Sequence, residues 1–250
     1  MDIAGTVGGD SLLKNGIEHL KQGTFFEVVS KKKFQIFRNI NNIVKYGPAA
    51  PKFEERIWVN PCKINTYFKA SSVKTLCGVA HIREVSGKVI EANWPFDEAI
   101  PIIELFTLKT AIQHWVYEMP WKETGEYEYV EGRIKDKGQH IGCKNVRDII
   151  KRYEDLDLIF EQAKRDGRLR TVEEINAADF IRGSNPCGSV HIGPNGELYW
   201  GYGDGQHRFA IAYILKIPLH AQIGCVHIDA IPYLNNMRQK NWDHLKKALK

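Results

Sequence analysis

The chain has 250 residues, with 35 Lys and Arg against 30 Asp and Glu, a formal charge of +5, 43% hydrophobic residues and 26% charged ones. These are ordinary globular values. They exclude wholesale disorder, collagen-like repeats and a membrane bundle, and the length allows one large or two small domains whose core needs no metal or disulfide staple. The mild basic excess favours phosphate-bearing ligands but falls short of a surface that coats nucleic acid.

There is no run of 18 apolar residues and no basic start leading into an apolar stretch, so a cytoplasmic location without a membrane segment is expected. Five widely spaced cysteines (Cys62, Cys77, Cys143, Cys187, Cys225) with no C-x-x-C pair read as free or buried thiols. His140 with Cys143, and Cys225 with His227, offer two soft ligands each where a structural zinc site takes four, so no metal site is expected there.

In chain order, Asp10 or Ser11 caps an expected amphipathic helix carrying Leu12, Leu13, Ile17 and Leu20, stopped by Gly23. A second helix with a basic start, Lys31 to Lys33, carries Phe34, Ile36, Phe37, Ile40 and Ile43. The lysines read as a solvated face, with phosphate or headgroup contact as the alternative. Gly47-Pro48-Ala49-Ala50-Pro51 cannot continue a helix and marks the boundary between an N-terminal helical segment, 1–47, and the main domain, 48–250. Residues 56–60 have strand composition and end at Pro61. A helix is expected between Asp97 and Met119, in a stretch from 94 to 129 rich in Trp and Tyr that reads as core, with a sugar-stacking surface as the alternative. Residues 146–164 repeat apolar positions every three to four residues, with Gly167 where a C-terminal cap falls. Residues 187–192 and 197–202 alternate as two strands around the turn-forming Gly193-Pro194-Asn195-Gly196, and no internal repeat is present.

After that hairpin come Gly203-Asp204-Gly205-Gln206-His207-Arg208, then a helix-forming run to Leu215, Pro218 and a strand around 219–228. A glycine turn entering a helix places unpaired main-chain N–H groups and partial positive charge where an anion can approach closely. Arg208 adds a guanidinium matched to phosphate oxygens, and His207 a group that donates a hydrogen bond or takes a proton. Asp204 fits a helix cap, a metal ligand or an acid–base group.

The stretch Asp204-Gly205-Gln206-His207-Arg208-Phe209-Ala210-Ile211-Ala212 resembles the phosphate-binding D-G-x-H-R motif of the ParB/sulfiredoxin superfamily. Ile57-Trp58-Val59-Asn60-Pro61-Cys62-Lys63-Ile64 is similar to that family's opening strand and proline turn, and the helix ending at Gly167 to the one before its central hairpin. The match covers 56–64 and about 146–229, interrupted by an insertion at about 65–145. It implies an α/β (α+β) fold: a small mixed sheet with helices, an N-terminal helical region and a helical insertion. It also implies that residues 203–208 bind the phosphates of ATP or CTP with Mg2+.

Two departures narrow the function. Gln206 stands where sulfiredoxins carry their cysteine nucleophile, which removes sulfinic acid repair. Only 42 residues follow Arg208, too few for the helix-turn-helix reader of partition proteins beside the strand at 219, so no specific DNA reader is expected. No acidic cluster at two-metal spacing supports a nuclease. The expected partners are a nucleotide and a small-molecule acceptor: an ATP-dependent phosphotransferase (kinase) of a small hydroxyl-bearing metabolite or sugar. The alternative is a non-catalytic nucleotide-dependent binding or regulatory module. The catalytic candidates are Asp204, His207, and Glu54 or Glu55 as the base, with the insertion shaping the acceptor pocket.

Overall fold

The computed structural model describes residues 33–78, 82–171, 174, 188–201, 203 and 205–239. The expected opening helix at 12–20, Cys187 and Asp204 lie outside these.

The class is α/β, as the motif resemblance implies. Strands β1 (Arg56–Val59), β2 (Thr66–Phe68), β3 (Lys88–Ile90), β4 (Ile100–Pro101), β5 (Ser189–Ile192), β6 (Leu198–Gly201) and β7 (Leu219–His227) form one mixed sheet among the described residues. Its order is β1-β7-β5-β6-β2-β4, and β3 pairs with β7. The β5–β6 hairpin is antiparallel, with Val190 opposite Trp200, and its turn closes by Gly193 N–H donating to Glu197 C=O at 2.9 Å. β7 returns parallel to β5, with Ser189 opposite Gln222. β5 is buried along its whole length, which fits a central strand covered on both faces.

Around the sheet lie α1 (33–46), α2 (Ala70–Cys77), α3 (Ile82–Val85), α4 (Phe106–Trp115), α5 (Glu126–Lys137), α6 (Val146–Asp166), α7 (Gln206–Ile214) and α8 (Ile231–Gln239). α6 follows the expected signals closely. Asn145 Oδ1 accepts from Asp148 N–H at 3.1 Å, Gly167 ends the helix in the left-handed conformation (φ 64°), and Ile149, Tyr153, Leu156, Phe160 and Ala163 are buried. Fully burying an apolar side chain of this size stabilises by about 1.5–3 kcal/mol, so this stripe fixes α6 on the body. One core joins α4, α6 and α7 to the sheet through Leu108, Tyr153, Trp200 and Phe209. A smaller one holds Phe68, Val73, Cys77, Trp94 and Cys225.

Three expectations change. The single helix between Asp97 and Met119 is instead a short 3-10 turn, the two-residue β4, a second 3-10 turn and then α4, because Pro101 lacks the N–H donor that a continuous helix needs and disfavours helical backbone at Ile100. The insertion is not helical alone: it contributes β2, β3 and β4, and β2 pairs parallel with β6 at the strand that leads into the motif. On α1 the apolar residues face outward. Phe37 is 73% exposed, and Ile36, Ile40 and Val44 are also exposed, while polar Asn42 is buried and donates to Pro51 and Gly87 C=O, each at 2.7 Å. Asn39 accepts from Phe53 N–H at 2.7 Å, so the polar face docks this helix.

The aromatics of 94–129 are mainly core. Trp94 and Trp121 are buried, and Trp115, Trp121 and His114 all donate to one oxygen of Asp157 on α6, at 2.9, 3.1 and 3.0 Å. Tyr117 and Tyr129 are exposed. Among the described residues Cys62, Cys77, Cys143 and Cys225 are free thiols, no group of three His, Cys, Asp or Glu could hold a metal, and no helix is long and apolar enough to cross a membrane.

Candidate functional site

The motif turn leaves the C-terminal end of β6 and enters α7. Gly203 (φ 136°) is exposed, and Gly205 (φ 81°) occupies the N-cap in the left-handed conformation that a side chain disfavours. Phe209 N–H donates to Gly205 C=O at 2.9 Å as the first intrahelical bond, so the helix N-terminus, with the Gln206 and His207 amides, is at the turn.

The three side chains that follow point to different tasks. Gln206 is spent on the scaffold: its Oε1 accepts from Trp200 Nε1 at 2.8 Å and its Nε2 donates to Gly201 C=O at 3.1 Å, so only its main-chain amide is left for a ligand. Arg208 donates to the main-chain carbonyl of Arg170, beyond the C-terminal end of α6, which ties the motif helix to that segment. His207 turns into the body. Its side chain is 13% exposed, its ring meets Tyr153 edge-on at 5.7 Å, and its Nε2 is buried without a hydrogen-bond partner, 3.9 Å from Glu126 Oε1.

Glu126 opens α5, within the insertion, and is 2% exposed. One carboxylate oxygen accepts from Thr110 Oγ1 of α4 at 2.6 Å and the other from Tyr153 Oη of α6 at 2.7 Å. Four elements thus meet at one acid. Burial raises the Glu126 pKa above the usual carboxylate range, against the two hydroxyl donors and Arg152, which lower it. Burial, assisted by the Arg152 charge, lowers His207 to about 3, so the ring is neutral near pH 7. Burial also raises the Tyr153 phenol, with the Glu126 charge acting in the same sense.

The sequence reading missed Glu126, Tyr153, Thr110 and Arg152. The signal was present in α5: Glu126 stands one turn before buried Val130 and two turns before partly buried Ile134, so helical periodicity along 126–137 aligns it with the core. Glu54 and Glu55, by contrast, are not brought to the turn. They precede edge strand β1, which β7 and β5 separate from β6, a span of about 14 Å at the usual strand spacing. Glu55 is bound on both oxygens by Arg238 of α8, at 2.5 and 3.0 Å, and accepts from Lys52 N–H. Glu54 adopts φ 55°, with its N–H donating to Ser86 Oγ at 2.8 Å. These acids fasten the start of β1.

A cleft of about 430 Å3 lies at the opposite end of β6 from the motif turn, lined by residues that include Trp58, Asn60, Lys63, Thr66, Glu197 and Met237. Only Asn65 and Thr66 of its lining come from the insertion, so this is not the insertion-shaped pocket expected at the motif.

Comparison with known proteins gives no match: no family model, no curated protein and no solved structure aligns significantly with the chain.

Proposed function

We propose that the chain binds a nucleoside triphosphate by the turn 203–208 and transfers its terminal phosphoryl group to the hydroxyl of a small metabolite or sugar, as a divergent ParB/sulfiredoxin-like phosphotransferase. The observation that carries this reading is the meeting of two independent features at His207: a glycine turn at the N-terminus of α7, and a buried acid, Glu126, delivered by the insertion. The amides at the start of α7 supply fixed dipoles for phosphate oxygens, and Arg208, which also donates to the Arg170 carbonyl, a cation on the same helix turn. Magnesium would enter with the nucleotide. Asp204, the motif's acid, lies outside the described residues.

Phosphoryl transfer is mainly positioning and charge neutralisation, but the acceptor hydroxyl must also lose its proton. Its oxygen forms the new bond to phosphorus, the bond to the departing diphosphate breaks, and the proton passes to the His207–Glu126 pair. At 3.9 Å the ring and carboxylate are a small side-chain movement from a hydrogen bond, and catalytic contacts commonly tighten only in the substrate complex. In that contact the carboxylate raises the basicity of the imidazole, the role a carboxylate plays behind histidine in other proton-transfer sites. His207 is then the proton-accepting group and Glu126 its positioning residue.

The direct check follows phosphate by mass spectrometry after incubation with ATP, magnesium and pooled sugars and amino acids. A substrate-dependent phosphoester is expected from wild type and not from His207→Ala. Nucleotide binding without a product supports the regulatory module instead. A thermal-shift screen precedes it: ATP at a hundred times its Kd stabilises the protein by about 2.7 kcal/mol, and Arg208→Ala should remove the shift. No shift in wild type, or the same shift in both proteins, overturns the reading.

A further inference from the structure

Where α5 meets α6, near His207, positive charge gathers that the motif turn does not account for. Arg133 follows Glu126 by seven residues and lies two turns along the same face of α5, with Lys137 one turn further. Arg152 precedes Tyr153 on α6. Arg133 and Arg152 each have a buried Nε with no hydrogen-bond partner. Arg152 is the electrostatic neighbour common to His207, Glu126, Tyr153, His140 and Cys143, and Arg133, Lys137 and Arg152 all bear on His140. The Tyr129 ring stands edge-on to His140 at 5.7 Å.

The acids at hand are committed elsewhere. Glu126 accepts a hydroxyl on each oxygen, and Asp148 accepts from Lys144 N–H and Asn145 Nδ2 at the start of α6. A buried guanidinium N–H left without a partner costs free energy, and so does gathering like charges; both costs are offset when an anion sits among them.

We propose that Arg152, Arg133 and His140 form a second anion subsite, next to His207, that takes a carboxylate or phosphate of the acceptor. The acceptor is then an acidic hydroxyl compound, such as a sugar acid, a sugar phosphate or a hydroxy acid, rather than a neutral sugar or polyol. The assignment of this ligand to the acceptor rests on the phosphotransferase reading; the subsite itself rests on the two unpartnered buried guanidinium Nε atoms and the cations around His140.

The test uses the full chain and matched probes: glucose against glucose 6-phosphate and glucuronate, and glycerol against glycerol 3-phosphate and glycerate. Each is titrated calorimetrically with and without a non-hydrolysable ATP analogue. At least one anionic probe should bind about tenfold or more tighter than its neutral counterpart. Arg133→Gln and Arg152→Gln should each erase that preference, Arg133→Lys should restore part of it, and the Kd for the ATP analogue should stay within about twofold. Arg133 lies further along α5 from the Glu126 junction, so its variants keep the test decisive if Arg152→Gln fails to fold. Equal binding of neutral and anionic probes, or a preference that survives Arg133→Gln, overturns the proposal. If the Arg133 and Arg152 variants lose the ATP analogue instead, the cations belong to the nucleotide's own phosphates; the proposal falls and the phosphotransferase reading stands. If an anionic probe binds through Arg133 while wild type binds no nucleotide, the subsite stands and the phosphotransferase reading falls.

Discussion

Glu126 does two things that its substitutions separate. Its oxygens satisfy two buried hydroxyls, and its carboxylate stands behind His207. Glu126→Gln keeps the shape. The Thr110 hydroxyl has the carbonyls of Phe106 and Thr107 as other acceptors, at 3.1 and 3.2 Å, so it can turn its proton away and accept from the new amide. Glu126→Ala leaves the Tyr153 hydroxyl without its acceptor, while Thr110 keeps the two carbonyls, and opens a void between α4, α5 and α6. Urea unfolding near pH 7 should therefore show Glu126→Gln within about 1 kcal/mol of wild type and Glu126→Ala destabilised by about 2–4 kcal/mol. The pH dependence sharpens this. The folded pKa of Glu126 lies above the unfolded value, so the folded state holds the extra proton and stability falls as pH rises through that interval. Relative to Glu126→Gln, wild type should lose ground as pH rises from about 4.5, and a difference that does not change with pH would show the carboxyl to be unshifted.

At the level of elements, α6 shows what short-range chemistry can specify. Asn145 and Asp148 form a reciprocal cap, in which Asn145 Oδ1 takes Asp148 N–H and Asp148 Oδ2 takes Lys144 N–H at 2.8 Å. Asn145→Ala should cost about 1 kcal/mol in chemical denaturation with the m-value unchanged, since it removes one acceptor and leaves the buried stripe intact. A cost near zero would mean that water satisfies this helix end equally well. The β5–β6 hairpin and α7 were legible for the same reason: their turn glycines, caps and apolar periods lie within a few residues of each other. What sequence reading could not supply was long-range placement. Glu54 and Glu55 look like free acids beside a strand until Arg238, 183 residues away, closes on Glu55. The apolar residues of α1 look like a core face, yet Asn39 and Asn42 find carbonyl and amide partners in the loops at Pro51, Phe53 and Gly87, and that polar contact sets which face docks. Glu126 was missed because its hydroxyl partners Thr110 and Tyr153 stand 16 and 27 residues away and His207 further still, beyond the reach of short-range patterning.

Across the whole molecule, the packing that builds the candidate site also sets the response to acid. Two histidines are enclosed as neutral rings on separate elements. His191 on β5 is 1% exposed, accepts from Cys225 N–H at 3.1 Å, and lies so close to Gly224 that a Cβ there would stand 2.5 Å from its Nδ1. Burial lowers its pKa from 6.5 to about 4, and that of His207 to about 3. The unfolded chain therefore takes up protons below pH 6.5 that the folded chain refuses, and stability falls as pH falls through this window. Each ring contributes roughly 1.4 kcal/mol per pH unit once the unfolded histidine is fully protonated, so the pair approaches about 2.7 kcal/mol per unit. Glu126 opposes this, because its raised pKa favours the folded state as pH falls, but one carboxyl offsets no more than one of the two rings. Urea unfolding at about pH 7, 6 and 5 should show a clear loss of stability toward acid, and His207→Gln, which holds a neutral amide at the same place, should flatten that slope by half or more. A wild-type stability that is flat over this range would mean that one of the two rings reaches solvent. For His207 that outcome would also remove the enclosed imidazole–carboxylate pair on which the proposed proton transfer depends.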